Sequence, residues 1–149
     1  MTFFIFFTLL VAFVEETIYR GLIFKTLLRK SAVAAVVTSS VLFSITHIMN
    51  ALSGQSMADT ILQLIYALLL GAALALLMLK NGNIVPLILF HFIHNLIQFL
   101  GDDQQETGTL PYDLFILIVL VIYCVWLTFC VRTKLSSSKR SLTGGSVVH

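Results

Sequence analysis

Three short polar clusters interrupt an otherwise apolar sequence, and their side chains are of the kinds that hydrolyse bonds. They are Glu15-Glu16-Thr17-Ile18-Tyr19-Arg20, Phe43-Ser44-Ile45-Thr46-His47 and His91-Phe92-Ile93-His94-Asn95. In a helix, Glu16 and Arg20 share a face and can pair, which partly neutralises both. Glu15 points about 100° away and finds no partner in its own helix. His91 and Asn95 also share a face, with His94 one step round. Glu15, His47, His91 and Asn95 converge if the segments that carry them pack together.

Such a set has defined uses. A carboxylate held away from bulk water keeps a proton more readily and serves as general base on a water molecule. A histidine shares that water, or binds a metal as neutral imidazole. A second histidine with an asparagine supplies donors for a developing oxyanion. Peptide hydrolysis needs all three functions. The alternative is a zinc shell of Glu15, His47 and His91 with an open position for water, although the H-E-x-x-H signature is absent.

Structural roles compete with these. A lone histidine inside a membrane more often bonds one helix to another than catalyses. Glu16 and Arg20 read as a structural ion pair, Phe43 as packing and His94 as a neighbour of the site. Paired glutamates with histidines on two other segments are harder to assign to structure alone. The same groups also suit a non-catalytic membrane protein that uses them to bind a partner or hold the bundle, or a proton relay.

The elements that must position these residues are apolar. Hydrophobic residues make up 58% of the 149 and charged residues 11%, against roughly 25% charged in soluble domains. Five apolar stretches, at about 2–24, 32–50, 60–79, 84–100 and 112–131, approach the ~20 residues that cross ~30 Å of hydrocarbon. The expected fold is therefore all-α, a polytopic transmembrane bundle of about five spans over 1–131. Asn81-Gly82-Asn83 and Pro86 mark a turn before the fourth stretch. A polar, acidic loop is expected at 101–108, and a disordered cytoplasmic tail at 132–149.

Lys25, Arg29 and Lys30 follow the first stretch, Lys80 the third, and Arg132, Lys134, Lys139 and Arg140 the fifth. The connections after the second and fourth hold no lysine or arginine. The positive-inside rule then places the N-terminus outside and the C-terminus in the cytoplasm of a cell membrane. A net charge of +2 gives no reason to expect nucleic acid. Cys124 and Cys130, in one apolar stretch, read as packing or lipid-facing residues. With no basic residue before Glu15, a cleaved signal peptide is not expected.

At its polar clusters the sequence resembles the CPBP family, which unites CAAX prenyl proteases with bacterial Abi-type and bacteriocin-processing membrane proteases. The family motifs E-E-x-x-x-R, F-x-x-x-H and H-x-x-x-N appear in order as Glu15-Glu16…Arg20, Phe43…His47 and His91…Asn95, with a Tyr19-Arg20-Gly21 ending. The likeness covers roughly 11–100. It implies an intramembrane endopeptidase in which Glu15 activates water with help from His47, while His91 and Asn95 stabilise the oxyanion. Glu16 and Arg20 would support the motif. The family's chemistry admits either Zn2+ or a metal-independent glutamate mechanism. Its implied partners are the lipid bilayer and a peptide or membrane-associated protein, either of CAAX type or in bacteriocin processing and self-immunity.

Overall fold

The computed structural model describes residues 2–52, 54–101 and 110–144, with side chains at 2–49, 51–52, 54–100 and 114–133. Every element among them is helical: α1 (Thr2–Glu16), a π-helical segment (Thr17–Phe24), α2 (Lys25–Leu28), α3 (Ala32–Thr46), α4 (Met49–Leu52), α5 (Met57–Asn81), α6 (Val85–Gly101) and α7 (Leu110–Gly144). The first three join into one helix, Thr2–Leu28.

Local chemistry sets the breaks. Ser31 caps α3 by accepting from the Ala34 amide, and Ser56 caps α5 by accepting from Asp59. Gly82 ends α5 at φ 70, its amide bonding back to Met78. The Asn83 side chain then takes the Val85 amide at the start of α6, and Pro86 fits the first turn because no helical partner awaits its nitrogen.

Three helices, Thr2–Leu28, Met57–Asn81 and Leu114–Thr133, are long and apolar enough to cross a membrane, and Ala32–Thr46 and Val85–Leu100 are shorter apolar helices. With their outward Leu, Ile, Val and Phe side chains exposed, they make a multi-pass membrane protein. α5 is the central helix, with 44% of its apolar window buried against 17% and 11% for the other two. α3 and α7 pack on α5, and α6 packs on α1.

Lipid offers no hydrophobic drive between helices, so close approach of small residues and buried polar bonds hold the bundle. Ala35, Ser39 and Ser40 of α3 and Ala67, Gly71 and Ala75 of α5 are buried. The Ser44 hydroxyl donates to the Leu64 carbonyl at 2.7 Å, joining α3 to α5. The Cys124 thiol points to the Leu69 carbonyl at 3.4 Å, joining α7 to α5.

Two elements differ from the sequence reading. The stretch 32–50 is not one helix: α3 stops at Thr46 with His47 as its C-cap. The segment read as a disordered tail is helical from 132 to Gly144, since no proline or glycine interrupts it before that residue. The expected acidic loop lies outside the described residues except for Gly101, as do 145–149.

Candidate active site

The first cluster straddles a change of helix type. Glu15 and Glu16 close α1, and the π winding begins at Thr17; such winding recurs at functional sites. The next turn carries Tyr19 and Arg20 inward.

Glu16 and Arg20 are both fully buried and paired, with the guanidinium Nη1 2.9 Å from Oε1. Arg20 Nη2 donates to the Gly71 carbonyl of α5 at 3.2 Å. The guanidinium also lies over the Phe43 ring, 4.5 Å from its centroid, where the electron-rich face attracts a cation. Glu16 Oε2 and Arg20 Nε are buried without a hydrogen-bond partner among the described residues.

His91 is the junction. Its Nδ1 lies 2.9 Å from Glu16 Oε1 and donates to that carboxylate. Its Nε2 faces Glu15 Oε2 at 3.5 Å, and the Glu15 side chain is 29% exposed where Glu16 has none. One carboxylate is locked into the interior; its neighbour keeps access.

Phe43 does more than fill space. Its buried ring stands edge-on to Tyr19, His47 and His91, at 5.4, 5.2 and 5.5 Å between centroids. It thereby fixes the separation of the two histidines. His47 turns Nδ1 onto the Phe43 carbonyl at 3.0 Å. The two motifs reach one level because α6 starts beside Gly21, with Ile84 in contact range, whereas α3 starts beyond Leu28. At 1.5 Å per residue that offset is roughly 10 Å.

A cavity of about 1020 Å³ opens over this centre, lined in part by His47, Tyr66, His91, His94 and Asn95. Glu15 is not among its lining residues and meets it through His91. Asn95, one turn beyond His91, is half-buried in its wall. His94 stacks on Tyr66, with Nδ1 3.4 Å from the phenol oxygen. Sequence reading missed Tyr66, Gln55, Asp59 and Gln63 as cavity residues; an isolated polar group carries no signal of its own.

The family model for type II CAAX prenyl endopeptidase Rce1-like proteins matches residues 1–97. The chain belongs to this family. The match takes in all three polar clusters and ends just past Asn95. Family members are CAAX-type intramembrane endopeptidases, so the substrate is a peptide or protein and the setting is a membrane. No curated protein and no solved structure matches the chain.

Zinc can be tested against the donors. Among the described residues no three of His, Cys, Asp and Glu are grouped to hold a metal ion. Both ring nitrogens of His91 face carboxylates. Glu15, His47 and His91, as arranged, do not form a zinc shell.

Proposed function

We propose that this chain hydrolyses a peptide bond within or near the membrane, with Glu15 as the base that activates water. The observation that carries this reading is His91, held between Glu15 and Glu16 at the base of a cavity that also takes His47 and Asn95. Glu16, neutralised in part by Arg20, fixes the His91 ring through Nδ1 and leaves Nε2 for the reaction.

A substrate carbonyl enters beside His91 and Asn95. Glu15 takes a proton from water, whose oxygen bonds to the carbonyl carbon, and His47 helps to hold that water. The negative charge gathers on the carbonyl oxygen, where Asn95 Nδ2 donates to it, joined by His91 Nε2 when the ring carries a proton on both nitrogens. Protonated Glu15 then gives its proton to the amide nitrogen as the C–N bond breaks, restoring the carboxylate.

The substrate classes in view are a CAAX-type C-terminus and a bacteriocin-like peptide, the latter for processing or self-immunity. Loop charges support an outside N-terminus and a cytoplasmic C-terminus.

The test is substitution in lipid nanodiscs. Glu15→Gln keeps the shape and removes the base. Wild type is expected to cleave members of a mixed pool of prenylated and unmodified peptides, and the variant to cleave none while melting at the same temperature. Equal cleavage by both proteins would remove Glu15 from the mechanism.

A further inference from the structure

The proposed reaction leaves two polar side chains of the cavity without a task. Tyr66 of α5 and His94 of α6 both line it, and both are half-buried. Their rings stack at 5.4 Å with 24° between planes, and the Tyr66 hydroxyl lies 3.4 Å from His94 Nδ1. His94 follows His91 by three residues, a spacing that makes neighbours on one helix face, with Cβ atoms roughly 5–6 Å apart.

A peptide drawn into a membrane-embedded cavity loses the water that paired with its carbonyls, and each carbonyl left bare costs free energy. In the proposed reaction Asn95 and His91 are committed to the scissile carbonyl. Among the described lining residues there is no lysine, arginine or tryptophan, so donors for the flanking carbonyls come from hydroxyl, imidazole and carboxamide groups. The Thr8 hydroxyl is turned back on the Phe4 and Ile5 carbonyls of its own helix. Most of the remaining polar lining forms one stripe, His91, His94, Asn95 and Gln98 of α6 beside Gln63 and Tyr66 of α5. From His91 to Gln98 it runs about 10 Å along the helix, the reach of roughly three residues of extended peptide.

Proton counting gives the Tyr66–His94 pair one donor beyond its own needs. A neutral imidazole holds one N–H and a phenol one O–H. Where Nδ1 accepts, Tyr66 donates to it and Nε2–H is left over; where Nδ1–H donates, the phenol O–H is left over. The mutual bond is also long against the usual ~2.7–3.2 Å, so an incoming carbonyl competes with it readily.

We propose that Tyr66 and His94 form a substrate-binding pair that donates this hydrogen bond to a main-chain carbonyl within two residues of the scissile bond. This deepens the endopeptidase reading and rests on it. The flanking carbonyl carries no developing charge, so the bond is equally strong before and during reaction and acts on affinity rather than on the chemical step.

The test uses the member of the mixed peptide pool that wild type in nanodiscs cleaves fastest in a Glu15-dependent manner. Tyr66→Phe with His94→Phe removes both donors and keeps two rings to stack; Tyr66→Phe with His94→Leu does the same with less bulk. Each double variant is expected to raise KM about 3- to 10-fold, the loss of one neutral hydrogen bond, with kcat changed by less than about twofold. His94→Gln, with Tyr66 in place, keeps a donor and an acceptor and should avoid most of that rise. Peptides in which an alkene replaces one amide, at each position within two residues of the scissile bond, then locate the carbonyl. At one position the alkene is expected to raise KM for wild type but not for the double variants, the coupling that marks a direct contact. Equal alkene effects in all three proteins, an unchanged KM, or a loss confined to kcat overturns the inference and leaves the endopeptidase reading intact. Absence of Glu15-dependent cleavage by wild type overturns both.

Discussion

At the scale of single residues, two adjacent glutamates divide structure from chemistry by exposure. Glu16, without access, is fixed by Arg20 and His91; Glu15, 29% exposed, faces Nε2 of that same ring. Glu15→Gln is therefore expected to lower cleavage by about 10²–10⁴-fold, the usual contribution of a general base, with no change in melting temperature. Glu16→Ala leaves the Arg20 charge buried without its carboxylate, and denaturant titration in micelles should show a loss of about 3–5 kcal/mol. Replacing both with leucine should recover much of that stability yet leave cleavage low, because His91 then has nothing to hold Nδ1. The Glu16–Arg20 pair was legible in sequence from its four-residue spacing. The Glu16–His91 bond was not, since 75 positions separate the partners and only the packing of α6 on α1 brings them together.

Among the elements, the contact of α3 with α5 sets the geometry of the site, and Gly71 controls it. A Cβ at Gly71 would stand 3.2 Å from Phe43 Cδ1 and 3.2 Å from Ser40 Cα; the second is backbone and cannot swing aside. Gly71→Ala should cost about 1–3 kcal/mol by thermal or chemical unfolding and slow cleavage by shifting Phe43. Gly21→Ala is the contrast: its Cβ would meet nothing nearer than 3.6 Å, and stability should hold or rise slightly. The turn at Asn81-Gly82-Asn83 could be read directly, because glycine and asparagine supply the left-handed cap and its side-chain bond. The end of α3 could not. Thr46 Oγ1 and His47 Nδ1 both turn onto the Phe43 carbonyl, and such local bonds compete with helix propagation inside a stretch that stays apolar. The π segment was also hidden, since its residues have no composition that distinguishes them from α-helix.

Across the whole molecule, apolar composition dictates the membrane class and the all-helical fold, because a backbone in lipid must satisfy its own hydrogen bonds. What composition does not carry is how spans of unequal length share one centre. The long first helix passes below the start of α6, and that overhang brings the motifs of α3 and α6 to the same depth. The donor arrangement has a consequence for the intact protein as well. With both His91 nitrogens facing carboxylates and no three-ligand group among the described residues, a strong chelator should leave the rate of cleavage unchanged, as followed by peptide release over time.

The most direct measurement is cleavage of the mixed peptide pool in nanodiscs by wild type and Glu15→Gln side by side, each with and without chelator. The expected result is cleavage by wild type in both conditions and none by the variant. Folded wild type that cuts no better than Glu15→Gln would contradict a glutamate-driven protease and favour a membrane protein that uses these polar residues for binding or immunity. Cleavage that the chelator abolishes would contradict the metal-free mechanism.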